Sequence, residues 1–304
     1  MRQKTVLLFV LVVTVYALLL SLTGLDGISE VLSCFRVQYV PMILLLVAFS
    51  EAVTFLRWRY VLSRIVTGIP LKEGFLIYMS GLSVIAPAQS GELIRYYILK
   101  KIKGIPVKRS FPVHMVGIIS DFICVVLMII PPLLFIPGFG YIMTLTSVFV
   151  IILAFILGLS NRRVQILIRK IPILRSYADF GKSMKDVEKV ADKRSMITIG
   201  ALTALSWIAA ISAFYFVLVA LGVSPDPVSA MYIYGFSVLL GEVSTLPKGI
   251  AVTEGSILIM LFLKGMPYNI AAASSVMIRV FNMWLPMAAG IICLMALSRR
   301  MLSS

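Results

Sequence analysis

Read as a pattern of apolar and polar positions, the chain is a series of long apolar runs, with two further runs interrupted by polar inserts. Thr5–Leu22, Tyr39–Leu56, Phe111–Ile136, Tyr141–Leu159, Met196–Leu221 and Ile270–Leu297 are almost free of charge. At 1.5 Å per residue each is long enough for a hydrocarbon core of about 30 Å, so six full membrane spans are predicted. Pro131-Pro132 predicts a kink or an end to the third run, and Pro137-Gly-Phe-Gly140 and Ser224-Pro-Asp-Pro227 predict tight turns.

The interrupted runs behave differently. As a helix, Gly74–Ala86 reaches only about 20 Å, short of the core thickness. The insert Pro87-Ala-Gln-Ser-Gly-Glu92 follows, and then a basic stretch to Lys101. Basic flanks on both sides predict a re-entrant hairpin over 73–95 that enters and leaves by the inner face. Val228–Leu246, the break at Pro247-Lys-Gly249 and Ile250–Leu263 repeat the design. Charge alone allows either two spans or a hairpin here. The likeness to 81–95 favours a hairpin, 228–263, entering from the outer face. Two such hairpins form an inverted repeat, whose interrupted helices meet near the bilayer midplane. Irregular backbone at that depth must be buried in protein or line a watery cavity.

The expected fold is therefore all-α: a polytopic membrane helix bundle of about six full spans plus two re-entrant hairpins. One membrane domain, 1–304, is expected. It divides into a first half, 1–140, a span plus cytoplasmic connector, 141–195, and a second half, 196–304.

Composition removes other classes. The chain is 60% hydrophobic and 13% charged, with mean hydropathy +1.03; soluble domains carry about 25% charged residues. The net charge of +15 does not call for nucleic acid. Every Lys and Arg except Arg36, Lys248, Lys264 and Arg279 falls in segments that this topology puts on one side. That is the positive-inside bias, and it favours anionic lipids. It places both termini in the cytoplasm and the protein in a prokaryotic plasma membrane. Arg57-Trp-Arg-Tyr60 reads as an anchor at the inner interface. The first apolar run lacks an A-x-A site and reads as a retained helix. Cys34, Cys124 and Cys293 lack metal spacing and read as packing residues.

Candidate chemistry lies in the charges within apolar sequence: Glu51, Glu92, Asp121, Glu242, Glu254, Arg95, Lys248 and Arg279. Each costs about 2.5–3.5 kcal/mol if left alone at the membrane centre. They must pair, be solvated in a cavity or lose charge. Glu92 can reach Arg95 on one helical face, and Asp121 is the expected partner of Arg279. Glu51 suits either a proton site or a helix–helix hydrogen bond. A purely structural ion-pair scaffold is one reading of this set. The other is a polar cavity for a headgroup, with Glu92, Arg95, Asp121, Lys248, Glu254 and Arg279 as its binding residues. Helix starts after the breaks at Pro87, Gly91, Pro247 and Gly249 would offer N–H groups to a phosphate. His114 reads as interfacial, and Trp58, Trp207 and Trp284 as anchors or packing. No Walker loop, H-E-x-x-H or G-x-S-x-G is present, so no cofactor, metal or catalytic residue is expected.

Pro87-x-x-x-Gly91-Glu92-x-x-Arg95, an acid at Asp121, Leu246-Pro247-x-Gly249 with Glu254, and Arg279 together resemble the transmembrane region of the lysylphosphatidylglycerol synthase family. The resemblance covers nearly the whole chain. It implies movement of polar-headed lipids, such as aminoacylated phosphatidylglycerol or polyprenyl-phosphate sugars, between leaflets. The synthase carries a soluble aminoacyl-transfer domain after this region, and this chain ends at Ser304, so synthesis of the lysyl-lipid is not expected. Two other functions fit the residues. One is an enzyme on a lipid phosphate, with Glu92 or Asp121 as general base and Arg95 on the phosphate. The other is a scaffold recruiting a glycosyltransferase or another lipid-modifying partner.

Overall fold

A computed structural model describes Ser33 and residues 35–84, 93–135, 192–244 and 246–302. All regular elements among them are helical. After a 3-10 turn, Val37–Tyr39, come α1 (Val40–Ser63), α2 (Leu71–Leu82), α3 (Leu93–Lys103) and α4 (Val107–Phe135). Then follow α5 (Lys193–Ala220), α6 (Pro227–Val243), a 3-10 turn at Pro247–Gly249 and α7 (Val252–Leu263). Helix α8 (Tyr268–Arg279) passes through a π-turn, Val280–Trp284, into α9 (Leu285–Leu302).

Four helical stretches are long and apolar enough to cross a membrane: Val37–Ser63, Arg109–Ile129, Lys193–Ala220 and Tyr268–Arg299. They coincide with four of the expected spans. Thr5–Leu22, Tyr141–Leu159 and nearly all of the connector 160–195 lie outside the described residues, as do Pro87, Gly91 and Glu92. Pro131-Pro132 does not end α4, which continues to Phe135.

The expected outer hairpin is two short helices folded on each other. Helices α6 and α7 have 17 and 12 residues, about 25 and 18 Å of helix. They pack together. The chain reverses through left-handed backbone at Lys248 (φ 51°), Gly249 (φ 65°) and Ala251 (φ 74°). Small residues let the two arms close. A Cβ added at Gly249 would lie 2.7 Å from the Cα of Gly241.

In the first half, α2 packs on α3 and, over a larger area, on α9. A Cβ at Gly290 would come within 2.5 Å of the Met79 carbonyl oxygen and 2.8 Å of the Ser83 nitrogen, so α9 and α2 touch backbone to backbone. Lys103 at the basic end of α3 bonds Glu73 in the first turn of α2 at 2.9 Å. The pair α1–α5 is the other main packing seam, with Ser50 Oγ donating to the Ser206 carbonyl at 2.9 Å.

Two large apolar clusters result among the described residues, beside a small one of Ile250 and Met283. One joins Ile43 and Val47 of α1 to Ile129, Phe214, Ile257 and Ile278. The other holds Phe55, Trp58 and Leu62 against Ile77, Tyr78 and Tyr96. Large apolar side chains also point outward, among them Leu45, Leu127, Ile197, Leu263 and Ile292. In water such a surface would be a large exposed patch. In lipid it costs nothing, because the tails are equally apolar.

The start of α6 shows local coding. Asp226 precedes α6 and accepts the Ser229 N–H at 2.9 Å, with Pro227 in the first turn. That bond holds the Asp226 carboxyl below its ordinary value. A carboxylate lowered in the folded state contributes stability above the unfolded value, near ~3.9, and loses it as pH falls through the folded value. Asp226→Ala should cost about 1 kcal/mol at neutral pH. Unfolding curves of the two proteins should converge as the solution is made strongly acidic.

Candidate functional site

Polar side chains collect between the two apolar clusters, and their placement follows from helix faces. Along α1, Glu51, Thr54, Arg57 and Val61 recur every three or four residues and line one cavity. Arg57 is only 5% exposed, so it is not the interfacial anchor expected from Arg57-Trp-Arg-Tyr60. Its guanidinium forks onto Asp121 of α4, with Nη1 2.6 Å from Oδ1 and Nη2 2.7 Å from Oδ2. Nη1 also donates to Thr203 Oγ1 of α5 at 3.0 Å. The Trp207 indole N–H reaches Asp121 Oδ1 at 3.0 Å. One charged fork thus ties α1, α4 and α5.

The expected Asp121–Arg279 pair is therefore corrected. Arg279 instead donates from Nε to Glu254 Oε1 at 2.8 Å and from Nη2 to the Lys248 carbonyl at 2.6 Å. Glu254 is fully buried. Arg279 so latches α8 both to α7 and to the left-handed backbone of the break, where regular helix bonding is lost. The π-turn follows directly, and its Asn282 donates to Tyr234 Oη at 2.7 Å.

Arg95 of α3 is 3% exposed. Its Nε donates to the Tyr78 carbonyl at 2.9 Å, and its guanidinium carbon lies 4.1 Å from the centre of the Tyr78 ring. The Tyr78 hydroxyl in turn donates to Glu51 Oε2 at 3.0 Å. Glu51 thus takes part in a helix–helix hydrogen bond, one of its two expected roles. Gly81 makes room for this arrangement. A Cβ there would strike the Arg95 side chain along its length, 2.8 Å from Cδ and closer still to Cγ and Nε. Gly81→Ala should therefore displace Arg95 and cost about 1–3 kcal/mol, as overpacking does. Thermal unfolding of the variant in detergent tests it.

A cavity of about 260 Å³ opens among these groups. Arg95, Asp121, Lys248 and Arg279 line it, with Glu51, Arg57 and Glu242. Glu254 stands behind Arg279 rather than in the wall. Gly249 belongs to the turn next to the lining residue Lys248. The side chain of His114 is 2% exposed, packed near Tyr96 and Phe111 in the same wall, and so is not interfacial. Trp58 is a wall residue too. No cluster that could hold a metal occurs among the described residues.

Sequence reasoning overlooked Arg57, Trp207 and Tyr78. For Arg57 the signal was available: it extends the Glu51–Thr54 stripe by one helical step. Trp207 and Tyr78 carry no such mark, because an aromatic in an apolar helix looks the same whether its polar atom meets a carboxylate or not.

Apolar helices around a converging set of charges, next to the break between α6 and α7, define a multi-pass membrane protein with a polar cavity among its helices. Residues 6–290 match the family described as lysylphosphatidylglycerol synthase TM region, and the chain belongs to that family. No curated protein matches the chain significantly.

Proposed function

We propose that this protein carries a phosphate-bearing lipid headgroup between leaflets, with the headgroup in the cavity and the tails in the bilayer. The observation that carries the reading is the convergence of Arg95, Lys248 and Arg279, from three distant stretches of sequence, on one cavity within an apolar bundle. Cations held at depth by pre-formed partners can trade contacts with water for contacts with a phosphate. Carboxylates in the same wall, Glu51 and Glu242, keep the site near neutrality and suit a headgroup that also bears an amine or hydroxyls. An aminoacylated phospholipid or a polyprenyl-phosphate sugar has this chemistry. Family membership supports a role in lipid biosynthesis or transport.

In this reading α6 and α7 form a hairpin re-entering from the outer face. Residues 73–95 form its counterpart, with Glu92 completing the site beside Arg95. The halves 1–140 and 196–304 rock about that site, joined by 141–195. Both termini lie in the cytoplasm of a prokaryote.

An enzymatic role for Asp121 fits less well. Three of its roughly four acceptor positions are taken by the Arg57 fork and the Trp207 indole, which leaves one at Oδ2. A general base needs a free lone pair in reach of the substrate.

The test is reconstitution in phosphatidylcholine vesicles doped with tail-labelled fluorescent phosphatidylglycerol. A membrane-impermeant reductant bleaches only the outer leaflet of protein-free vesicles. The wild-type protein should expose the inner pool, and Lys248→Gln should slow this at least tenfold while remaining folded. Equal rates for the variant and wild type would reject the reading.

A further inference from the structure

A second cavity, of about 220 Å³, lies where α1 ends and the chain turns into α2, with Trp58 in its wall and in that of the central one. Its wall includes Trp58, Arg59, Thr67, Gly68 and Gly74. Two donors there have no hydrogen-bond partner: the Arg59 Nη1 and the Trp58 indole Nε1, each with its atom buried. Trp58 as a whole is 6% exposed. Arg59 Nη1 is held against the start of α2, 3.4 Å from where a Cβ on Gly74 would stand.

A buried cationic nitrogen without an acceptor is costly, so the arrangement calls for an occupant. The remaining surroundings select its charge. Helix α2 begins behind Pro70, which has no side chain able to cap it. Of α2 itself only Gly74 lines the pocket, and its N–H already donates to the Pro70 carbonyl at 2.9 Å. No acid lines the pocket among the described residues, and Glu73 in the first turn of α2 is engaged by Lys103 at 2.9 Å. The loop Gly68-Ile-Pro70 adds no acid, and Thr67 adds a hydroxyl. Two unpartnered side-chain donors, one of them cationic, thus border a volume that fits a small tetrahedral anion.

We infer that this pocket is a second anion site that takes a phosphate group, separate from the central cavity. Arg59 is its charged ligand, the Trp58 indole N–H is its neutral donor, and Gly74 keeps it open. The phosphate can belong to a lipid headgroup of the leaflet facing the basic loops or be free in solution. By bridging Arg59 on α1 to the start of α2, it would brace the helix that carries Tyr78 and cradles Arg95.

The inference does not depend on the proposed transport. Its test is thermal unfolding of the full chain in neutral detergent, with inorganic phosphate titrated against chloride at constant ionic strength. A second arm compares nanodiscs of phosphatidylglycerol with nanodiscs of phosphatidylcholine. Wild-type protein and Lys248→Gln, which alters only the central cavity, should both be stabilised by phosphate or by the anionic lipid. Arg59→Gln should lose at least tenfold in apparent affinity. Gly74→Leu, which fills the pocket and keeps the charge of Arg59, should lose the same response and serves where Arg59→Gln does not fold. Stabilisation by the lipid but not by free phosphate identifies a headgroup; stabilisation by both shows that the phosphate group suffices. An unchanged response in Arg59→Gln or in Gly74→Leu, or no response in the wild type, would overturn the site. So would a response that disappears in Lys248→Gln alone.

Discussion

Arg279→Leu is expected to destabilise the protein by about 3–5 kcal/mol, the cost of removing one partner of a buried ion pair. Glu254 would be left fully buried without the guanidinium that contacts it at 2.8 Å. The Lys248 carbonyl would lose its donor at 2.6 Å, in backbone of non-helical φ and ψ. The double replacement Glu254→Leu with Arg279→Leu should recover most of the loss, because apolar residues of similar volume replace a buried pair at little cost. Unfolding titrations of the two single variants and the double variant form the cycle that separates the pair from its surroundings. Transport separates the two roles further. If Arg279 only holds the hairpin, the double variant should move lipid once its fold is restored. If it also meets the headgroup, the double variant should be stable and inactive, which is the result expected here.

Gly249→Ala should be nearly as damaging, for reasons of space and backbone rather than charge. Its φ of 65° is left-handed, which costs an alanine about 1–2 kcal/mol. The new methyl would also stand 2.7 Å from the Gly241 Cα, and backbone cannot move aside as a flexible side chain can. Together these should reach about 3 kcal/mol. Gly222, also left-handed at φ 79°, has no atom within 4 Å of its would-be Cβ. Gly222→Ala should cost only the backbone term. The difference between the two variants in unfolding free energy measures how tightly α6 and α7 close.

Much of this was legible along the chain. Apolar run lengths located the four described spans, because the lipid core sets a minimum helix length whatever the neighbours are. Pro247-Lys-Gly249 marked the reversal between α6 and α7, since a proline followed by a glycine interrupts helix bonding locally. Charges in apolar sequence pointed to Arg95, Lys248 and Arg279 as residues needing company, because an isolated charge is costly at that depth. The sequence alone thus determined which segments are helical, where they break and which side chains require partners.

Tertiary structure alone decided who those partners are. Asp121 and Arg279 each looked like the natural answer to the other, yet Asp121 meets Arg57 and Arg279 meets Glu254. Arg57 looked interfacial because it follows an apolar run, but α1 continues to Ser63 and keeps Arg57 inside. An ion pair forms over a few ångströms. Reaching that distance depends on which helices are neighbours, how each is rotated about its axis and how closely glycines such as Gly241 and Gly290 let backbones approach. Hydropathy and charge order along the chain carry the need for a partner, while rotation and neighbour order in the bundle supply it.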